Sequence, residues 1–263
     1  MPAVELGCWM LSRRRFLHKC LFTTMAMGVS GSSFFGSRAR AATDTDIPVL
    51  LYHRVGDTQG HMTVSPKRFA TDLANLKDMG FSTISLELFR RYLADPETPL
   101  PENPLMISFD DGYLDNFLNA YPLLREYGMT AAFYIITGMV GEDDRLTSAH
   151  IREMAANGMS IGSHTVSHRD LGEMDVEEAA NEMSLSRLYL EGLLQRPVNF
   201  IAYPKGGYNE FTAKIANEAA YNGGFSVEYG TCTRTSNPYA LRRIPIFSFD
   251  REIKQTMLKR GWG

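Results

Sequence analysis

From residue 42 onward, short apolar runs alternate with longer stretches whose apolar positions recur every three or four residues. Pro48-Val49-Leu50-Leu51-Tyr52 predicts a strand. Ser65-Pro66 then offers an N-cap with proline at the first helical position, and Phe69, Leu73, Leu76 and Met79 keep helical spacing. Leu105–Phe109 predicts a second strand, with Tyr113, Phe117, Tyr121 and Leu124 forming the apolar face of the helix behind it. Thr130–Ile136 predicts a third strand, followed by a helix capped by Thr147 and ending near Gly158. Met159–Ser163 is a short strand, and Asp175 with Glu178 reads as a capping box for a helix running to about Leu194. Val198–Ala202 predicts a strand, and Asn209 caps a helix to about Tyr221. Gly224–Tyr229 and Arg243–Phe249 are the last strand candidates, and Asp250 opens a terminal helix.

Strand and helix thus alternate seven or eight times without a long linker. That rhythm predicts an α/β fold with a mainly parallel sheet covered by helices. So many units in one domain of this length favour a barrel over an open doubly wound sheet. No G-x-G-x-x-G and no P-loop follows a strand, so nucleotide binding lacks support. In a barrel the chemistry belongs at the C-terminal ends of the strands.

Composition is that of a globular protein, 44% hydrophobic and 22% charged over 263 residues. Charge is uneven along the chain. Residues 1–41 hold six of the 27 Lys and Arg residues but one of the 30 acids, so the remainder carries 21 bases against 29 acids, a charge of −8. An acidic body is a poor binder of phosphate backbones, and nucleic acid is excluded as a partner. The basic N-terminus has a different use. Ser12-Arg13-Arg14-Arg15-Phe16-Leu17 precedes a weakly apolar run from Cys20 to Gly36, and Ala39-Arg40-Ala41 puts small residues at −3 and −1 of a cleavage site. This resembles a twin-arginine signal, S-R-R-x-F-L. It implies residues 1–41 as a signal peptide recognised by the twin-arginine export machinery, residues 42–263 as the catalytic domain, and a periplasmic or secreted product. The apolar run is too rich in Gly, Ser and Thr for a stable membrane span once cleaved. Cys8 and Cys20 leave with the signal, so the mature chain keeps Cys232 alone and forms no intramolecular disulfide.

Polar clusters fall at the strand ends. Asp110-Asp111-Gly112 follows the second strand, His164-Thr165-Val166-Ser167-His168 follows Met159–Ser163, and His53 follows the first strand. Histidines four residues apart share one face of a turn, which alone is weak evidence for metal. Two aspartates at another strand end change that. His164, His168 and one aspartate make a three-ligand set with open positions, the layout of a catalytic divalent-metal site. The other aspartate is then available as a general base, and the chemistry implied is metal-assisted hydrolysis of an acyl or related bond.

Ser108-Phe109-Asp110-Asp111-Gly112 is similar to the T-F-D-D-G motif, and His164-Thr165-x-x-His168 matches the H-[ST]-x-x-H motif, of polysaccharide deacetylases of the NodB type, carbohydrate esterase family 4. Tyr52-His53-Arg54-Val55 and Ala202-Tyr203-Pro204-Lys205-Gly206 look like the branch with poly-N-acetylglucosamine deacetylases. The resemblance spans about residues 48–250. It implies an incomplete (β/α)7 TIM-like barrel, with Asp110 as general base and Asp111, His164 and His168 as ligands of a divalent metal. Zinc is the first expectation, with cobalt, nickel or iron as alternatives. It also implies a backbone amide near Pro204 and Lys205 in the oxyanion hole, and Tyr208 at the sugar groove. Two departures stand out. Ala202 occupies the position where many members carry an arginine that braces the base, and no histidine follows His168 to serve as the family's late general acid. His53 is the substitute by position.

The reading that results is metal-dependent N-deacetylation of a poly-N-acetylglucosamine-like polysaccharide, releasing acetate. Peptidoglycan or chitooligosaccharide deacetylation, removal of O-acetyl groups from xylan, and a non-catalytic carbohydrate-binding relic are the alternatives. Export carries its own test. The double substitution Arg13→Lys, Arg14→Lys is expected to leave unprocessed precursor inside the cell, as read by immunoblot of cell fractions; undiminished export would point to the general secretory route.

Overall fold

Seven of the apolar runs are strands of one closed barrel in the computed structural model, which describes residues 45–263. The expected signal peptide lies outside the described residues. The barrel strands are β1 Ile47–Tyr52, β2 Pro104–Phe109, β3 Ala132–Ile135, β4 Ser160–Ser163, β5 Phe200–Ala202, β6 Gly223–Tyr229 and β7 Leu241–Pro245. All pair in parallel with their neighbours in chain order, and β1 closes the ring by pairing with both β2 and β7. The sheet is therefore the seven-stranded (β/α) barrel that the alternation implies.

Parity along each strand divides the core in two, because successive side chains leave a strand on opposite faces. Val49, Met106, Ala132, Tyr134, Phe200, Ala202, Phe225 and Leu241 form one cluster within the ring. Leu50, Tyr52, Ile107, Phe109, Phe133, Ile135, Ile201 and Ile244 form the other, beneath the helices. In the outer layer Phe109 stacks on Phe133 at 4.9 Å between centroids, and Phe69 meets Phe109 edge-on at 5.6 Å. Phe69 belongs to helix α1, Pro66–Asp78, capped by the Ser65 hydroxyl as expected. Helix α2, Leu86–Ala94, is absent from the sequence reading. Its Phe89 reaches the inner cluster, 5.9 Å from Phe200 and 6.0 Å from Phe225. That contact explains why nine residues suffice for a helix there: tertiary packing supplies what propensity does not.

The remaining helices are α3 Tyr121–Glu126, α4 Ser148–Ala156, α5 Val176–Leu194, α6 Glu210–Glu218 and α7 Ile253–Lys259. Thr147 and Asn209 cap α4 and α6 as expected, each reciprocated by the side chain three residues on, His150 and Thr212. Three expectations need correction. Asp175 caps α5, but the Glu178 side chain turns to Arg169 instead of completing a capping box. The last strand runs Leu241–Pro245 and not to Phe249, because its pairing ends where the Ile246 N–H donates to the Leu51 carbonyl of β1, and Phe247–Asp250 then closes a turn. Asp250 does not open the terminal helix. Its carboxylate binds the Arg260 guanidinium, and the helix starts at Ile253. Between β2 and α3 the chain makes a π-helical turn, Asn116–Ala120, of the kind that often marks a functional site. No described helix is long and apolar enough to cross a membrane.

Candidate active site

The parity that fills the barrel also aims its chemistry. Met106 and Ser108 point inward on β2, so Asp110, two residues further, does too, and it is 2% exposed. On β7 the inward positions are Leu241 and Arg243, and the Arg243 side chain is fully buried. The two meet in a bidentate ion pair, with Nη1 donating to Asp110 Oδ1 at 2.8 Å and Nη2 to Oδ2 at 2.7 Å. Arg243 Nε donates to the Ser226 carbonyl at 2.9 Å, which orients the fork. Burial alone would raise the Asp110 pKa. The Arg243 charge, helped by His164 and His53, outweighs it and holds the carboxyl below its ordinary range.

Along the sequence Arg243 stands only as part of a strand. A signal was present, since an arginine between Leu241 and Ile244 at inward parity must find a buried anion. Ala202 indeed carries no guanidinium; the arginine that pairs with Asp110, the expected base, comes from β7 instead.

Asp111 turns the other way, through a left-handed backbone at φ 74°, and Arg145 donates to its carbonyl at 2.8 Å. Its Oδ1 lies 3.4 Å from His164 Nε2 and 3.2 Å from His168 Nε2. His164 sits directly after β4 and is 1% exposed. Its Nδ1–H donates to the Ala202 carbonyl at 2.7 Å, which leaves the Nε2 lone pair free to face Asp111. Burial works to lower the His164 pKa, but Asp110 and Asp111 prevail and raise it. Burial would raise the Asp111 pKa, but His164 and His168 prevail and hold its carboxyl well below the usual carboxylate range.

These residues fit a metal ion. Asp111 Oδ1 is buried without a hydrogen-bond donor of its own, and three ligand atoms of Asp111, His164 and His168 lie within 4.8 Å of one another. The 3.2 and 3.4 Å separations match those between ligands of a tetrahedral cation bonded at about 2.0–2.1 Å.

All four residues face a pocket of about 290 Å³, together with His53 and Lys205. His53 follows β1, and burial lowers its pKa against the pull of Asp110 and Asp111. Its carbonyl is fixed by the Asn116 side chain at 2.9 Å. Lys205 lies in a short turn with φ 58°. Pro204 is buried beneath that turn and does not line the pocket. Tyr208 is also outside the lining. Its ring stacks on Tyr203 at 5.4 Å and its hydroxyl donates to Glu228 at 2.8 Å.

Comparison with known proteins gives the family. A family model described as polysaccharide deacetylase matches residues 97–224. The chain is 34% identical over 200 residues to the Bacillus subtilis (strain 168) protein YxkH, named as a polysaccharide deacetylase, and covers 76% of this chain and 71% of that one. The chain belongs to the polysaccharide deacetylase family. It is similar, at 29% identity over 209 residues, to the poly-beta-1,6-N-acetyl-D-glucosamine N-deacetylase of Staphylococcus aureus (strain MRSA252), covering 73% of this chain and 71% of that protein. Its structure resembles the Streptococcus pyogenes deacetylase PplD in complex with acetate, with TM-score 0.77 and 31% identity over 83% of this chain and 99% of that one. As a polysaccharide deacetylase the chain is a hydrolase of N-acetyl amide bonds.

The ion pair can be tested apart from activity. Arg243→Met is expected to cost about 3–5 kcal/mol of unfolding free energy, because it strands a buried carboxylate. The double variant Arg243→Met, Asp110→Asn should recover most of that loss in urea denaturation. Equal stability of the single and double variants would show that the pair is not what the deacetylase core depends on here.

Proposed function

We propose that this chain is an exported, metal-dependent N-deacetylase of a poly-N-acetylglucosamine-like polysaccharide. One observation carries the reading: a carboxylate kept ionised by Arg243 stands beside the Asp111–His164–His168 ligand set at the mouth of a pocket. Asp111, His164 and His168 would hold the divalent ion, zinc by first expectation, which when bound supplies Lewis acidity toward the acetyl carbonyl and lowers the pKa of water.

The protein's own groups do the rest. Asp110 takes a proton from the water whose oxygen adds to the acetyl carbon. The Lys205 amide donates to the oxygen on which negative charge develops; the next two amides, of Gly206 and Gly207, are already committed to the Tyr203 and Pro204 carbonyls. His53 faces the same pocket and delivers the proton that lets the amine leave as the C–N bond breaks. The products are acetate and a glucosamine unit.

The pocket wall supports a sugar polymer. Met62, Val227, Tyr229 and Phe247 line one side of it, and Phe249 stacks on Phe247 at 5.2 Å while remaining 66% exposed. Exposed apolar surface beside a polar site marks a binding surface, and the flat C–H faces of pyranose rings suit it. The name of the Staphylococcus aureus relative supports N-acetylglucosamine as the unit. The arginine motif at residues 12–17 supports the export reading.

The direct experiment incubates purified mature protein and zinc with N-acetylated glycans and follows acetate. Oligomers of β-1,6-linked N-acetylglucosamine should exceed chitooligosaccharide, peptidoglycan and acetylated xylan; a preference for any of the last three would replace the proposed substrate. Asp111→Ala, His164→Ala and His168→Ala should lose zinc and activity together. Asp110→Asn should keep zinc and lose a factor of about 10²–10⁴ in kcat. Full zinc occupancy in two of the three ligand variants would sink the assignment.

The proton donor is tested through the leaving group. His53→Ala should lower turnover of an N-acetylglucosamine oligomer far more than that of an activated acetyl ester, whose leaving group needs no proton. Equal losses on both substrates would leave Asp110 as the sole proton carrier.

A further inference from the structure

The three ligand residues are not held equally. His164 is fixed by its backbone N–H to the Ile135 carbonyl and by its ring to Ala202. Asp111 is held at its carbonyl by Arg145. His168 hangs from a loop, its side chain 29% exposed, and its ring lies 3.2 Å from Asp111 Oδ1 and edge-on to His164 at 4.9 Å between centroids. Its place is set by the loop backbone, which enters left-handed conformations at Thr165 (φ 65°) and His168 (φ 61°), with the His168 N–H donating to the Thr165 hydroxyl at 3.1 Å.

That loop is gripped from two sides. On one side the Thr137 and Gly138 amides donate to the Thr165 and Val166 carbonyls at 3.0 and 2.9 Å. The approach is close: a Cβ on Gly138 would lie 2.6 Å from the Val166 oxygen, so only glycine fits. On the other side stands Glu182 of α5. Its Oε2 accepts from the Val166 and Ser167 amides at 2.8 and 2.9 Å, and its Oε1 accepts from the Ser167 hydroxyl at 2.6 Å. One carboxylate therefore satisfies three donors of the segment between the two histidines. Charge-assisted bonds to backbone amides are the strong kind, and they act on the one ligand that no strand positions.

We propose that Glu182 is a positioning residue for the metal centre, holding the His168 loop in its ligating conformation, a reading that rests on the metal site proposed above. The loop would otherwise relax its two left-handed residues toward ordinary backbone and carry the imidazole away from Asp111. Groups that orient metal ligands typically contribute 10–100-fold in affinity.

The test measures the zinc Kd of the mature protein by competition with a chromophoric chelator, alongside a zinc titration of deacetylation. Glu182→Ala should weaken zinc binding by about 10-fold or more, with kcat largely recovered at saturating zinc and the melting temperature of the zinc-free protein little changed. Glu182→Gln, which keeps one oxygen for the two amides, should restore most of the affinity. Gly138→Ala pushes on the same loop from the opposite side and should also weaken zinc; it carries the test with Glu182→Gln if Glu182→Ala does not fold. Wild-type zinc affinity in Glu182→Ala and Gly138→Ala, or a kcat loss that saturating zinc leaves untouched, would overturn the proposal. If the wild type binds no zinc, or if His168→Ala binds it as tightly as the wild type, it is the metal-site reading itself that fails.

Discussion

Two buried aspartates stand next to each other at the C-terminal end of a barrel strand, and the Asp110–Arg243 ion pair is what makes that arrangement tenable. Adjacent buried carboxylates repel and each is costly to desolvate, so they stay ionised together only if each has its own positive partner. Arg243 takes Asp110, and Asp111 would be answered by the cation that it shares with His164 and His168. The separation of partners becomes a separation of roles: one carboxylate is available for proton transfer and the other for ligation. Arg243 also ties the barrel together, since it bonds Asp110 after β2 and Ser226 on β6 from its own place on β7.

Around this pair the backbone is bent at the edge of the pocket. Asp111, Thr165, His168 and Lys205 are non-glycine residues at positive φ, and all four lie at the rim of one pocket or in the loop between its ligands. Each such residue costs of the order of 1–3 kcal/mol. They persist because the ring beneath them is rigid. Its outer layer is packed by the Tyr52, Phe69, Phe109 and Phe133 rings, and its inner cluster is closed by Phe89 of α2. A pocket so built presents polar groups that need little reorganisation when charge develops on substrate, which is the chief way such sites accelerate a reaction.

Much of this was legible in the sequence, where local pattern and local chemistry coincide. The alternation of apolar runs determined the barrel class and placed Asp110, Asp111, His164, His168 and His53 at strand ends, because strand parity and the strand-end rule act within a few residues. Caps at Ser65, Thr147 and Asn209 could be read for the same reason. Only the tertiary structure decided the partners. Arg243 lies 133 residues from Asp110, and no local rule brings β7 across the ring to meet β2. Helix α2 forms because the inner cluster needs Phe89, Asp250 is claimed by Arg260 rather than by a helix start, and Tyr208 turns to Tyr203 and Glu228. Glu182 reads along the chain as an ordinary acid on an amphipathic helix; it meets the His168 loop only because α5 packs against β4 from outside. Residue types and their spacing set which groups can do the chemistry. Which charge each of them answers to is decided by contacts between segments far apart in the chain, and those exist only once the barrel has closed.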